Sequence, residues 1–416
     1  MKSLYFAAHQ FRPPNSGARL RNYQLARQLA VRSSVTFLEM RSADDEPYPY
    51  SDDPGVANVL SVDKGRTYTP SKILRGLAGP TPVTVLNCWS RRSAARLSDV
   101  LKSQQFDSVQ IGGTQLIAYL AVLQELPYCP AIVVDWHNIE SELMRRYADT
   151  TGNWVKKIAA NRTARLIARV EDRLLETLGP HTVPSERERQ NLLARCPGAN
   201  IHVIPNGVDT TYYSPTIISE ARRSAGKSDL KPTILFVGSM DYHANIDAVI
   251  QFSRTAWLEI ARNHPDLHFT IVGRNPTTEV LALASDRIHV TGTVDDVRPF
   301  YASAIAVVVP LRSGSGTRIK ILEAMAAGVP VVSTKIGAEG IDIKDGLHFL
   351  QADSGPEIAA AVHLIASSEE IRSRLSQAAR ELVCRTYDWS VIGDRLYEIH
   401  ADLVESRTLC SLQKVC

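Results

Sequence analysis

Short apolar runs alternate with helical-period stretches along almost the whole of this chain, and that alternation limits its folds most tightly. Residues 4–8, 35–39, 108–111 and 131–135 read as strands, with helices expected over 20–30, 93–103 and 115–124 between them. Strands separated by helices pair side by side in one direction through right-handed crossovers, so parallel sheets follow. The stretch 201–205 is a further strand, ending at Asn206-Gly207. A polar stretch with Pro215 then leads to Pro232, and the pattern restarts. Strands are expected at 233–237, 268–272, 304–310 and 329–333, with helices at 245–261 and 317–327 and over most of 356–406. Residues 41–82, rich in Pro, Asp, Ser and Gly, read as a long loop or insertion. A chain of 416 residues is too long for one ordinary domain. Two Rossmann-like α/β domains in tandem are expected, with a cleft where their strand ends face each other. The expected bounds are 1–207, a linker at 208–231, a second domain at 232–386, and a terminal helix with a short tail at 387–416.

Composition removes several classes. The formal net charge is +3, too small to point to nucleic acid. The six cysteines, at 88, 129, 196, 384, 410 and 416, form no C-x-x-C pair, which suits reduced thiols in a cytoplasmic protein. The apolar run at the N-terminus is broken by His9, Arg12, Pro13 and Pro14, so it reads as a first strand rather than a signal peptide. No run is long enough to span a bilayer.

The most informative segment is Val309-Pro310-Leu311-Arg312-Ser313-Gly314-Ser315-Gly316-Thr317-Arg318-Ile319-Lys320-Ile321-Leu322-Glu323. A strand ends at Pro310, a Gly/Ser loop follows, and a helix is expected from Thr317. Amides at such a helix start, with the positive end of its dipole, suit a phosphate. Gly314 and Gly316 let a ligand approach the backbone. Arg318 and Lys320 oppose the dipole in the first turn, and a bound diphosphate would give them a reason to be there. A plain turn with solvated charges is the competing reading. Glu323 lies where its carboxylate could accept from a ribose.

This segment resembles the donor-binding loop of the family 4 glycosyltransferases of the GT-B fold. It continues into Glu323-Ala324-Met325-Ala326-Ala327-Gly328-Val329-Pro330-Val331-Val332. Ile204-Pro205-Asn206-Gly207-Val208-Asp209, Phe236-Val237-Gly238-Ser239-Met240-Asp241-Tyr242, Ile271-Val272-Gly273-Arg274 and Val290-Thr291-Gly292-Thr293-Val294-Asp295-Asp296 match the same family in order. The family's first Glu of this loop, which contacts the donor sugar, falls at Ser315. The Arg and Lys that hold the diphosphate fall at Ser239 and Ala244. Neutralisation is therefore expected of Arg318 or Lys320, with Arg312 nearby. The form of these motifs is similar to that of a bacterial branch associated with exopolysaccharide assembly.

The resemblance implies a retaining transfer from a nucleotide-diphosphate sugar to a hydroxyl acceptor: a glycan, a lipid-linked sugar or a small molecule. The first domain would serve the acceptor and the second the donor, and the helix after Tyr387-Asp388-Trp389-Ser390 resembles the family's terminal helix, which crosses back to the first domain. Asn15-Ser16-Gly17-Ala18-Arg19 resembles the family's Gly-rich loop beside the donor phosphates, with Gly17 allowing close approach and Arg19 reaching an anion. His137, in Val133-Val134-Asp135-Trp136-His137-Asn138, falls at a functional family position, although a strand-end His taken alone is more often structural. His137, Arg318 and Glu323 are thus the expected catalytic residues. Gly17, Arg19, Gly238, Arg274, Val294, Gly314, Ser315, Gly316, Thr317, Lys320, Glu323 and Glu339 are expected at the donor. No Asp-x-Asp and no His/Cys cluster occurs, so neither a metal nor another cofactor is expected.

The stretch 154–178 reads as one long helix with a basic stripe, Arg162, Arg165, Arg169 and Arg173. A packed helix with a solvated face and a peripheral contact with anionic lipids both stay open. Three other functions fit less well: a nucleotide-sugar epimerase of the same fold, a non-catalytic nucleotide-sugar-binding protein, and a Rossmann dehydrogenase. The last would need a G-x-G-x-x-G after the first strand, which is missing.

Overall fold

The computed structural model describes residues 1–13, 16–42, 45, 58–224, 226, 231–314 and 316–413. Among them the chain forms two compact units, Met1–Pro205 with Ile392–Cys416, and Asn206–Val391.

The strands of the first unit are β1 (Lys2–Ala7), β2 (Ser34–Arg41), β3 (Val59–Asp63), β4 (Ser108–Gly112), β5 (Ala131–Asp135), β6 (His181–Val183) and β7 (Ile201–Val203). They form one parallel sheet in the order β3-β2-β1-β4-β5-β6-β7. Leu4 lies opposite Val109 and Phe6 opposite Ile111. These side chains, with Leu38, Val134 and Trp136, are buried in one core. A sheet covered by helices on both faces demands such unbroken apolar strands. The helix Gly17–Arg32 is capped by Ser16, whose side chain accepts from the Arg19 amide. The helix Trp154–Thr177 is capped by Asn153.

The second unit contains β8 (Thr233–Val237), β9 (His268–Val272), β10 (Ile288–Val290), β11 (Ala304–Val309), β12 (Val331–Ser333) and β13 (Leu350–Gln351). Its order is β10-β9-β8-β11-β12-β13, again parallel. In each unit the order reverses direction once, between β1 and β4 and between β8 and β11. Loops leaving the carboxyl ends of two such strands diverge and open a crevice.

Three expectations need correction. Within 41–82 the structure places β3 at the sheet edge and the helix Pro70–Ala78, started by Thr69 at the N-cap with Pro70 in its first turn. The stretch 208–224 of the expected linker is not free: Val208 bonds the Tyr387 carbonyl at 2.9 Å. Pro215 opens a helix, Pro215–Ser224, whose Ile218 is buried in the core of the second unit. The helix expected at 245–261 is two helices, His243–Thr255 and Trp257–Asn263, turning at Ala256.

Candidate functional site

The loop after β11 and the turn after β8 lie side by side at the switch point of the second sheet. Gly314 and Gly316 both have positive φ, +121° and +78°, which L side chains rarely adopt. Their loop delivers the chain to Arg318, the N-cap of the helix Ile319–Ala326, so the helix begins two residues later than expected. A Cβ on Gly314 would come within 3.1 Å of both the Tyr242 hydroxyl and an Arg318 guanidinium nitrogen. Arg318 is buried, and its Nη1 donates to the Gly316 carbonyl. Ser315 lies outside the described residues. Thr317 is half-buried at the end of the loop, and the Ile319 amide bonds its carbonyl at 3.1 Å.

Lys320 points across to the β8 turn. Its Nζ donates to Asn245 Oδ1 at 2.9 Å and stands 4.1 Å from the centre of the Phe236 ring. Asn245 in turn donates to the Ser239 carbonyl at 2.9 Å. The turn has no room for a side chain: a Cβ on Gly238 would meet Lys320 Nζ at 2.7 Å, and one on Gly273 would meet the Gly238 carbonyl oxygen at 1.8 Å. Burial pulls the Lys320 ammonium from its ordinary range down to about 7, and Arg318 beside it pushes the same way. Two cations therefore crowd the positive end of one helix, where the dipole opposes them.

Glu323 lies one turn deeper. Tyr213 donates to its Oε1 and Tyr301 to its Oε2, each at 3.1 Å. Burial raises its pKa, while the two hydroxyls and Lys320 oppose the rise. Each carboxylate oxygen retains a further lone pair for another donor. Arg274 Nε donates to Ser239 Oγ at 2.9 Å, which places it at the rim of the β8 turn. Arg312 makes a two-pronged ion pair with Asp247, at 3.0 and 2.6 Å, and faces solvent. Val294 packs half-buried against the apolar core. Glu339 sits in the loop after β12. Gly337 of that loop presses on the end of β11, since a Cβ there would lie 2.5 Å from the Val309 carbonyl oxygen.

In the first unit His137 follows β5. Its Nε2 lies 3.0 Å from Asn22 Oδ1, which can only accept, so that nitrogen carries the proton. Burial lowers its pKa to about 4, leaving the ring neutral at pH 7. Beneath it, buried Asp135 accepts from Arg21 at 2.8 and 2.6 Å and from Thr182 at 2.7 Å. Gly17 is exposed with open space around it, and Arg19 is paired with Asp45 at 2.5 Å. The Gly-rich loop thus gathers no anion-binding group besides Arg19 among the described residues.

Sequence reasoning missed a cavity of about 210 Å³ at the carboxyl ends of β1, β3 and β4, lined by His9, Lys64, Asn87, Thr114, Gln115 and Glu140 among others. Lys64 is buried, and its Nζ donates to the Ala8 carbonyl at 3.0 Å. Burial lowers the pKa of Lys64, takes His9 down to about 3, and raises Glu140. The available signal was position, because Lys64 directly follows β3 as His137 follows β5. Among the described residues no group of three or more His, Cys, Asp or Glu side chains could hold a metal ion. No helix there is long and apolar enough to cross a membrane.

Residues 16–212 match the family model described as Glycosyltransferase Family 4, and residues 231–368 match Glycosyl transferases group 1. The phosphatidyl-myo-inositol mannosyltransferase of Mycobacterium leprae is 29% identical over half of this chain and 55% of its own length. The chain spans about half the length of the curated relatives it matches. Sucrose-phosphate synthase from Thermosynechococcus elongatus superposes with a TM-score of 0.71 at 16% identity, over 98% of this chain and 100% of that one. Anabaena Alr3699/HepE in complex with UDP superposes at 0.67 and 16%, over 97% and 100%. Two parallel α/β sheets and two family models, one on each unit, lead to one conclusion: the chain belongs to the family 4, group 1 glycosyltransferases of the GT-B fold.

Proposed function

We propose that the protein moves a sugar, with retention of anomeric configuration, from a nucleotide-diphosphate sugar to a hydroxyl acceptor in glycan, exopolysaccharide or glycoconjugate synthesis. The observation that carries this reading is the pair Arg318 and Lys320, held at the positive end of one helix beside a loop with two left-handed glycines. Such a place is electrostatically strained until an anion arrives. A diphosphate meets that need twice, first when bound and again when it leaves C1. As the bond breaks, negative charge grows on the leaving oxygen, and nearby cations stabilise it without a metal. Glu323, with its spare lone pairs, is suited to a ribose hydroxyl.

The acceptor is assigned to the first unit, in the cavity bordered by Lys64 and Glu140, with neutral His137 as a hydrogen-bonding group rather than a proton acceptor of ordinary pKa. One relative is named for a mannosyl transfer to a phosphatidyl-inositol, and one solved neighbour holds UDP, which supports both halves of the reading. The reaction is placed in the cytoplasm, at the inner membrane face where the acceptor is lipid-linked.

The test is calorimetric titration with a panel of nucleotide sugars in the presence of a chelator, followed by NMR of the product's anomeric proton. Binding without metal is expected, and Arg318→Ala with Lys320→Ala should weaken it by about tenfold or more. Unchanged binding in that double variant, or a product with inverted configuration, would defeat the proposal.

A further inference from the structure

The helix Pro70–Ala78 is turned inside out. Its only buried residue is Gly76, which lies against Val83, while Ile73, Leu74 and Leu77 face solvent. Leu74 is 67% exposed. A surface helix ordinarily buries its apolar stripe and shows its charges, so an outward stripe marks a surface that something else covers.

This helix is not isolated. Arg162, on the helix Trp154–Thr177, donates to the carbonyls of Leu77 and Gly79 at 2.5 and 2.9 Å and pins the two helices together. One turn before Arg162 stands Ile158, 62% exposed, and one turn before that Trp154, 74% exposed. Val155 is exposed as well. Cations are interleaved with these apolar groups: Lys72 and Arg75 on the first helix, Lys156, Lys157 and Arg165 on the second. The segments 66–79 and 151–170 contain no Asp or Glu.

We infer that this two-helix face of the first unit is a docking surface for an anionic lipid bilayer. Outward Leu, Ile and Trp on two adjoining helices, flanked by Lys and Arg in segments without a carboxylate, match the boundary between headgroups and acyl chains. Among the described residues no helix is long and apolar enough to cross a membrane, and the contact inferred is a peripheral one. Tyr68, which lines the cavity of the first unit, lies just before the Pro70–Ala78 helix, and Ile167 and Val170 of the Trp154–Thr177 helix line the same cavity. The elements that meet the lipid thus also wall the assigned acceptor site. The basic face considered from the sequence, Arg162 to Arg173, is in part used otherwise, since Arg162 is spent on the clamp. The inference stands apart from the transfer reading, because it needs neither donor nor turnover.

The test is flotation of the full chain with phosphatidylcholine vesicles, alone or with about a third phosphatidylglycerol. Binding to the mixed vesicles, weakened by salt, is expected, with a blue shift of tryptophan emission that Trp154→Phe removes. Leu74→Gln combined with Ile158→Gln should cost about tenfold or more in binding. Lys156→Glu with Lys157→Glu should cost about fivefold for each cation lost and flatten the salt dependence. All these residues are exposed, so urea midpoints should stay at the wild-type value and separate lost binding from lost folding. No flotation at low salt, or flotation of both double variants equal to that of the wild type, overturns the inference. So does a concentration-dependent dimer in sedimentation that Leu74→Gln with Ile158→Gln abolishes, which would make the face a contact between copies.

Discussion

The Lys320 ammonium donates to the Asn245 side-chain oxygen at 2.9 Å, joining the helix after β11 to the helix after β8 across the switch point. An amide oxygen supports an ammonium but does not neutralise it, which leaves the lysine ready to pair with an anion. Because its pKa in the folded chain is about 7, it is neutral above that value unless an anion restores the charge. Nucleotide-sugar binding should therefore take up a proton between about pH 7 and the lysine's ordinary value, and affinity should fall as pH rises through 7. Titrations in buffers of different ionisation enthalpy measure the uptake. A proton count of zero at pH 8 would remove Lys320 from the diphosphate site. The same depression makes folding more favourable as pH rises from 7 toward 10.5, since the unfolded chain holds a proton that the folded one has released.

Glu323 is held between two tyrosine hydroxyls. Tyr213→Phe and Tyr301→Phe should each cost about 1–2 kcal/mol in urea unfolding, because each leaves one buried carboxylate oxygen with one fewer donor. Their effects should not add, as they share Glu323 and their rings meet edge to face at 5.7 Å. Strict additivity in the double variant would argue that the two hydroxyls act separately.

The Asp135 carboxylate, under His137, is buried and gripped by Arg21 and Thr182. Asp135→Asn removes the carboxylate charge that grips the buried Arg21 guanidinium and should cost about 3 kcal/mol or more of stability in the first unit. Denaturant unfolding followed by a probe in that unit reads the loss. A change near zero would mean that the ion pair is replaced at no cost.

Acid should attack the first unit early. Burial lowers His9 to about 3 and His137, His181 and His400 to about 4. Each of these groups accepts a proton in the unfolded chain near pH 6.5 and refuses it in the folded one. Their stabilising contribution is whole above 6.5 and is lost progressively as pH falls toward 4. His400→Gln should flatten that slope by about one proton's worth. Urea midpoints between pH 7 and 4 supply the measurement, and an unchanged slope would count against a neutral buried His400.

The parallel sheets were legible because β11 is an unbroken apolar run of six residues and β8 and β9, of five each, are apolar but for Thr233, His268 and Thr270. β6, β10 and β13, of three, three and two residues, carry too few apolar side chains for a pattern and were not seen, whereas the equally short β7 and β12 lie in longer apolar runs. The Pro70–Ala78 helix escaped because Pro and Gly surround it and its apolar residues face away from the core. At the site, Arg318, Lys320 and Glu323 announce themselves by spacing along one helix. Their partners do not: Asn245 lies 75 residues from Lys320, and Tyr213 lies 110 from Glu323. Only tertiary structure brings them together, and nothing local in the sequence encodes those distances.

The first unit draws on residues 1–205 and again on residues from Ile392 onward, where Leu396 is fully buried and His400 bonds Gln110 at 2.8 Å. A nascent chain must therefore emerge through all of the second unit before the opening sheet can close its core. The ribosome completes the second unit before it makes the helix that closes the first, and the earliest strands must be kept from aggregation while they wait.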